Sequence, residues 1–381
     1  MLKALAAAAC LAGNGAAATD IAVVWLHEDR QQPPTLSNLD PPPDDLGVAG
    51  ARLAIEENRS SGRFLDQTWQ LEEVTIADGA APDLPDGTAF VVIDATPATV
   101  AALADTRPDA LILNAGAPDE ALRQSDCRAN LLHTLPTDAM RADALSQFLV
   151  SRKWTDVALI AGTHPGDVAF ADALKASATK FRLRLRGEKT WAFDADMRRN
   201  ASQEVPLFTQ DLGDHDLLLV ADELGDFARY IPYNTWAPRP VGGSEGIVPE
   251  AWSPVVEAWG AAQLQSRFRD MAGRGMRPED FAAWAAVRTL GEAVTRTGAA
   301  DPEAVLSYVL SDDFELGGFL GRPLSFRPWN GQMRQPIPLV TERAVVATAP
   351  IEGFLHQVNE LDTLGRDRPE SACTAFERGP G

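Results

Sequence analysis

Short, continuously apolar segments alternate with amphipathic segments along most of this sequence. The apolar segments have the length of strands, and they are DIAVVWL (20–26), FVVID (90–94), ALILNAG (110–116), DVALIAG (156–162) and DLLLVAD (216–222). Segments with helical periodicity lie between them, at 48–62, 97–105, 138–154 and 167–181. Strands that are apolar on both faces are typical of parallel sheets covered by helices. The alternation therefore predicts an α/β protein built from right-handed β–α–β units.

The strand–helix units form two groups, which predicts two Rossmann-like lobes with parallel sheets. We expect residues 19–137 and about 247–315 in lobe 1, and residues 138–246 and about 316–360 in lobe 2. Residues 361–381 form a C-terminal tail. A chain divided in this way passes between the lobes several times, and such connections make a hinge beside a cleft.

The charge of the chain excludes several classes of partner. The formal net charge is −20 over 381 residues, which disfavours nucleic acids and anionic membrane surfaces. After the N-terminus, no apolar run reaches the roughly 18 residues of a membrane-spanning helix. We therefore expect no membrane insertion, and a monomer that binds a small molecule. An anionic ligand would need locally placed arginine or lysine.

The first 18 residues have the three parts of a secretory signal peptide. Lys3 precedes an apolar run, and Ala16–Ala18 precede the first predicted strand. The alternative is an alanine-rich first helix, which Gly13 and Gly15 disfavour; lipidation at Cys10 is a weaker alternative. We expect export to the periplasm.

The mature chain then keeps two cysteines, Cys127 and Cys373. In an oxidising compartment an even pair predicts one disulfide, whereas two unpaired buried cysteines are the alternative. Because a polar tail frays unless something holds it, we expect a Cys127–Cys373 bond that ties the tail across the hinge region.

Known motifs for catalysis, nucleotide binding and metal binding do not occur. The sequence contains no phosphate-binding glycine loop and no nucleophile elbow. The five histidines are far apart, and no pair has the spacing of a zinc site. We therefore expect a binding protein without a metal, and not an enzyme.

Ligands of open parallel sheets bind beyond the carboxyl ends of the strands. The predicted strand ends carry polar, aromatic and small residues, which are our candidates for ligand binding: Trp25, His27, Asp94, Thr96, Asn114, Ala115, Gly116, His164, Asp222 and Glu223. For His164, a turn residue is an equally good interpretation.

A loop rich in proline and aromatic residues, YIPYNTWAPRPVGG (230–243), follows the last of these strands. Its prolines exclude a central strand or a helix interior. Trp236 offers a flat face and Arg239 a bidentate guanidinium, so we expect both to overhang the cleft, with Ser244 and Glu245 just beyond. The alternative is that Trp236 packs into the edge of lobe 2.

The order and spacing of several segments resemble the type I periplasmic solute-binding proteins, the fold of the branched-chain amino-acid-binding proteins. The segments are GARLAIEE, LILNAGAPDEALR, LLHTLPTDAMRADAL and DFAAWAAVRTLGEAV. More narrowly, YIPYNTWAPRPVGG, EAWGAAQLQSRF, LSFRPWNGQMRQPI and GFLHQVNELDTLGRDRPESAC resemble a subfamily that accompanies alcohol oxidation dependent on pyrroloquinoline quinone (PQQ). The resemblance implies two lobes joined by three crossovers and a ligand in the cleft.

The resemblance also implies a ligand. At the positions where the amino-acid binders hold the α-ammonium and α-carboxylate, this chain has DATPAT and NAGAP, so a larger flat ligand is expected. PQQ is flat and carries three carboxylates, and we expect it as a bound, non-catalytic ligand. Aromatic and cationic residues would hold it: Trp25, Trp236 and Trp252 by stacking, and His164, Arg239 and Arg141 by charge.

The sequence also fits other functions. An aromatic alcohol or its acid product is the alternative ligand, and a sensor that presents its ligand to a receptor is the alternative role. An ABC permease or a PQQ-dependent dehydrogenase is the expected protein partner. A quinoprotein dehydrogenase itself would resemble a propeller with repeated tryptophan motifs, and no such repeat occurs.

Overall fold

The computed structural model describes residues 19–31, 41–192 and 200–377. The predicted signal peptide, residues 1–18, lies outside the described residues. The described chain forms two α/β lobes, each built around a parallel sheet. The predicted fold class is therefore confirmed. Among the described residues, no helix is long and apolar enough to cross a membrane.

Lobe 1 begins with a five-stranded parallel sheet in the order β2-β1-β3-β4-β5. The strands are β1 (Thr19–Asp29), β2 (Gln67–Ala77), β3 (Phe90–Asp94), β4 (Leu111–Asn114) and β5 (Leu131–His133). Helices α1 (Val48–Gly62) and α2 (Pro97–Thr106) connect them. Every residue of β3 and β4 is buried, because helices cover both faces of the sheet.

Lobe 2 repeats the same plan with a four-stranded parallel sheet in the order β7-β6-β8-β9. Its strands are β6 (Asp156–Ala161), β7 (Arg184–Thr190), β8 (Leu217–Ala221) and β9 (Val241–Gly243). Its helices are α3 (Asp138–Ser151), α4 (Pro165–Lys180) and α5 (Ala201–Thr209). The side chain of Thr137 caps α3 by accepting a hydrogen bond from the backbone N–H of Met140, which starts lobe 2 directly after the first crossover.

After the short strand β10 (Val248–Pro249) the chain returns to lobe 1. There it forms α6 (Ala261–Ala272), α7 (Pro278–Thr297), α8 (Pro302–Val309), β11 (Leu316–Gly317), β12 (Pro323–Phe326) and β13 (Met333–Arg334). Helix α7 packs against α1 so closely that a Cβ on Gly50 would lie 1.8 Å from the backbone oxygen of Asp280. Only glycine fits at this contact between the two helices.

The last crossover comes later than predicted. Leu316, Leu324, Phe326 and Met333 belong to the hydrophobic core of lobe 1, so the predicted boundary near residue 316 is wrong. The chain enters lobe 2 only with β14 (Ile337–Thr341), which pairs with β10 and with β15 (Ala344–Ala349). Strands β11 to β13 are too short and irregular for the sequence pattern to assign them to a lobe.

The predicted disulfide between Cys127 and Cys373 is confirmed. It joins the loop after β4 to the C-terminal tail and closes a span of 246 residues. A cross-link over a long span stabilises the native state chiefly by restricting the unfolded chain.

We predict that the double variant Cys127→Ser/Cys373→Ser loses about 2–5 kcal/mol of unfolding free energy, because its unfolded chain regains the conformational freedom that the cross-link removes. Urea unfolding of the oxidised protein and the variant measures this loss. Mass spectrometry after thiol alkylation should find no alkylated cysteine in the native, non-reduced mature protein. Two alkylated thiols would contradict the disulfide.

Candidate functional site

The carboxyl ends of both parallel sheets contribute to the gap between the lobes. On the lobe 1 side, Asp94 ends β3 and accepts hydrogen bonds from two neighbours at the end of β1. His27 Nδ1 lies 3.1 Å from one carboxylate oxygen, and Arg30 Nη2 lies 2.7 Å from the other. The side chains of His27 and Arg30 remain about one-third exposed. The structure therefore brings the predicted His27 and Asp94 together and adds Arg30, which lies just beyond the predicted strand.

Buried acceptors hold the loops of lobe 1 around this gap. Glu28 accepts hydrogen bonds from the backbone N–H groups of Thr96 (2.6 Å) and Gly79 (2.8 Å) and from the hydroxyl of Thr99. Burial alone would raise the pKa of Glu28, but these hydrogen bonds lower it below its usual value. Thr96 itself caps α2. Glu28 and Thr96 therefore position the loop after β3.

Asn114 organises the loop after β4 in the same way. Its side-chain oxygen accepts hydrogen bonds from the backbone N–H groups of Gly116 and Ala117. Ala115 is buried, and a Cβ on Gly116 would lie 2.0 Å from the carboxylate of Asp94. Asn114, Ala115 and Gly116 thus shape the gap by hydrogen bonding and close packing. Asn114 and Ala115 are too buried to present their side chains to a ligand.

On the lobe 2 side, Arg141 lies at the centre of an ion-pair network. Its guanidinium donates to both carboxylate oxygens of Glu223, at 2.7 and 3.2 Å, and to Asp138 at 3.0 Å. Its Nε donates to the backbone oxygen of Pro249, and the group stacks on Phe170 at 4.2 Å. Arg141 was predicted to bind carboxylates of a ligand, whereas the carboxylates that it contacts in the structure belong to the protein.

The carboxylates of this network respond differently to their surroundings. Burial would raise the pKa of Glu223, but the charge of Arg141 lowers it below its usual value. Burial raises the pKa of Asp138 to about 6 against the opposing charge of Arg141. The hydroxyl of Ser244 donates to Glu223 at 2.8 Å, so the predicted Glu223 and Ser244 do lie together.

The remaining predicted residues of lobe 2 organise its loops. Asp222 accepts hydrogen bonds from three consecutive backbone N–H groups, at 226, 227 and 228. His164 is the N-terminal cap residue of α4, and its ring lies 3.1 Å from the carboxylate of Asp226. His164 is therefore a turn residue with a partly exposed ring. Glu245 contacts only the backbone N–H of Gly246 among the described hydrogen bonds.

Two carboxylates that the sequence analysis missed lie between the charged groups of both lobes. Burial raises the pKa of Glu250 to about 7; the positive charge of Arg141 opposes this rise, and the negative charges of Glu279 and Glu223 add to it. Burial also raises the pKa of Glu279, and the negative charge of Asp94 contributes. Neither residue follows a strand of a parallel sheet, so the strand-end rule could not find them. Their one sequence signal is a preceding proline at a segment boundary, Pro249 or Pro278.

The prediction that Trp25 and Trp252 stack on a ligand is wrong. Trp25 is 3% exposed and Trp252 is 0% exposed, and both belong to the core of lobe 1. Trp252 stacks on Phe281 with ring centroids 4.9 Å apart, and its Nε1 donates to Gln265. Their rings fill the space between the sheet and the returning helices, so they cannot stack on a ligand.

The prediction that Trp236 and Arg239 overhang the cleft is wrong. The backbone N–H of Trp236 donates to the hydroxyl of Thr209, the last residue of α5, and Arg239 Nη2 donates to Asp214, which precedes β8. Both contacts lie at the amino end of β8, opposite the gap. A loop between two parallel strands must return to the amino end of the next strand, and these residues are on that return. Trp236 is also 64% exposed, so the alternative of a buried plug is wrong too.

Among the described residues, no group of three or more histidine, cysteine, aspartate or glutamate side chains could hold a metal ion. The gap thus consists of paired arginines, carboxylates and loop backbone. It can bind a small polar molecule by hydrogen bonding and charge.

No protein-family profile matches this chain, and no curated protein matches it. Solved structures do. A periplasmic ligand-binding protein of a branched-chain amino acid ABC transporter from Burkholderia xenovorans LB400 has a TM-score of 0.69 at 15% identity, over 94% of this chain and 100% of that one. The closed form of a leucine-, isoleucine-, valine-, threonine- and alanine-binding protein from Brucella ovis has a TM-score of 0.66 at 14% identity, over 88% and 93% of the two chains.

A solute-binding protein of an ABC transporter from Rhodopseudomonas palustris BisB5, solved with 3,4-dihydroxybenzoic acid, is also similar. Its TM-score is 0.61 at 11% identity, over 84% of this chain and 93% of that one. These similarities span nearly the whole described chain. The fold is that of the type I periplasmic binding proteins.

We predict that Trp236→Ala changes the free energy of unfolding by no more than about 0.5 kcal/mol, because its side chain is mostly exposed. Trp252→Ala should cost about 3–5 kcal/mol, because it leaves a cavity in the core of lobe 1. Urea unfolding of the two variants, without ligand, measures the difference. Equal losses in both variants would contradict an exposed Trp236 and a buried Trp252.

We also predict a pH-dependent stability from Glu250. Its pKa of about 7 in the folded protein lies above its ordinary value of 4.5, so the folded state binds the extra proton between these values. Stability should therefore fall as pH rises from about 4.5 to 7. Glu250→Gln cannot ionise, and at pH 8 it should exceed the wild type by about 1–3 kcal/mol, with little difference at pH 4.

Urea midpoints of the wild type and Glu250→Gln across this range test the prediction. Glu352→Gln, which removes an exposed carboxylate and changes the net charge equally, is the control. If both variants gain the same stability at pH 8, overall charge and not the position of Glu250 is responsible.

Proposed function

We propose that this chain is a solute-binding protein that captures a small organic molecule between its two lobes. One observation carries the proposal: charged side chains of both lobes act on the same pair of carboxylates, since Arg141 and Glu223 interact with Glu250, Asp94 interacts with Glu279, and Glu279 interacts with Glu250. Arg30 and Asp94 come from lobe 1, and Arg141 and Glu223 from lobe 2. A ligand that contacts both sets would favour closure of the lobes over it.

The names of the structural neighbours supply the rest of the role. Two of the three are named as ligand-binding or solute-binding proteins of ABC transporters, and one of these two is named as periplasmic. For this chain we infer the same place of action, the periplasm, and an ABC permease as protein partner. Binding and release of the solute, without a chemical reaction, is the role we propose.

The charges in the gap favour a solute that carries an amino group. Arg30 and Arg141 already bind carboxylates of the protein. Glu250 has no hydrogen-bond partner for its carboxylate among the described residues, and the positive charge of Arg141 only partly offsets its burial. An ammonium group beside Glu250 would compensate this charge and favour its ionised form. An amino acid or an amine is therefore the ligand class that the geometry supports best.

PQQ is the second candidate, and the long segments that resemble the PQQ-associated subfamily favour it. Its three carboxylates could bind Arg30 and Arg141 only by displacing Asp94 and Glu223. Its flat rings would have to stack on residues other than Trp25, Trp236 and Trp252. An aromatic acid, as in the neighbour solved with 3,4-dihydroxybenzoic acid, needs only one such displacement.

Titration calorimetry with three ligand sets tests the proposal: amino acids and amines, aromatic acids and alcohols, and PQQ. If an amino compound binds, Glu250→Gln should weaken it by about 10–100-fold, the loss of one charge-assisted hydrogen bond. If PQQ or an aromatic acid binds, the same variant should bind it as tightly or more tightly, because one negative charge is removed. Trp236→Ala is the control and should leave each affinity unchanged. Absence of binding by all three sets would contradict the ligand classes proposed.

A further inference from the structure

The C-terminal tail contacts both lobes on the side where the crossovers lie. Along residues 361–365, contacts with lobe 1 are followed directly by contacts with lobe 2. Asp362 is buried and accepts hydrogen bonds from Arg327 (3.0 Å) and Arg334 (2.7 and 3.0 Å), both on the lobe 1 side of the last crossover. Leu364 is 0% exposed and belongs to the core of lobe 2.

Further contacts extend this attachment to lobe 2. Thr363 accepts a hydrogen bond from Gln147 of α3 at 3.2 Å. The backbone N–H of Gly365 donates to Asp143 at 2.9 Å, and Lys180 of α4 donates to the oxygen of Gly365 at 2.8 Å. The tail therefore packs against the first two helices of lobe 2.

The tail then returns to lobe 1. The backbone N–H of Ala372 donates to Gln124 at 2.8 Å, and the next residue, Cys373, forms the disulfide with Cys127. Arg327 donates to three backbone oxygens of the same tail, at 361, 364 and 366. The segment is thus held by lobe 1 at both ends and by lobe 2 in the middle.

We propose that residues 361–373 form an interlobe strap that restricts how far the two lobes can open. The three crossovers are single chain segments, and each lobe has its own hydrophobic core. A strap whose middle is buried in one core and whose ends are fixed to the other lobe resists separation of the lobes on the hinge side. Loss of either attachment should widen the range of lobe orientations.

Distance measurement between two spin labels tests the strap without any ligand, so the result does not depend on the proposed function. Ala102→Cys in α2 and Ala169→Cys in α4 are exposed labelling positions, one in each lobe. In Leu364→Ala the distance distribution should be about twofold wider than in the parent protein, since the lobes gain hinge freedom. Leu159→Ala, equally buried in the same core but outside the strap, is the matched control and should keep the parent distribution.

Cys127→Ser/Cys373→Ser frees the other end of the strap and should widen the distribution as well. If Leu364→Ala does not fold, this double variant tests the strap in its place. Distributions in the strap variants that match the parent and Leu159→Ala would overturn the proposal. A wider distribution in Leu159→Ala as well would overturn it too, because general destabilisation would then explain the effect.

Discussion

Buried oxygen acceptors at the carboxyl ends of the strands hold the gap-facing loops in place. Where a strand ends, the following backbone N–H groups lose their sheet partners, and leaving them unpaired in a buried position is costly. Glu28 and Asn114 satisfy these groups in lobe 1, and Asp167 and Asp222 satisfy them in lobe 2. The charged side chains at the strand ends, such as Asp94 and Glu223, depend on these loops for their positions. Several residues that stand where a ligand would bind therefore serve the protein's own backbone.

The same arrangement determines the electrostatics of the gap. Two arginines near it are paired with carboxylates of the protein, Arg30 with Asp94 and Arg141 with Glu223. These pairs fix the two guanidinium groups and partly neutralise their charge. The carboxylate of Glu250 is only partly compensated, and burial makes its ionisation unfavourable. These charges are the reason that we propose a polar solute without several negative charges.

The relation between the lobes depends on a different set of contacts. Two buried glutamines connect the first and third crossovers: Gln332 donates to the backbone oxygen of Leu135, and Gln335 donates to that of Thr134. The strap adds Asp362 with its two arginines on the same side. The two lobes have separate hydrophobic cores, and these buried polar contacts join the segments that connect the lobes. Hydrogen bonds have a defined geometry, so these contacts favour one arrangement of the connecting segments.

The sequence alone determined the strands that are buried on both faces, such as β3 and β8, because continuous apolar runs specify them. It missed the edge strands β2 and β7, whose exposed and charged side chains leave no apolar run. Two cysteines were enough to predict one disulfide. Only the tertiary structure decided which aromatic and charged residues face the gap. Trp25 lies in an apolar strand segment and Trp236 lies in a proline-rich loop; both were predicted to face the cleft, yet one is in a core and the other is on the far surface. The direction of a side chain depends on where its loop returns in the fold, and residues distant in sequence decide that.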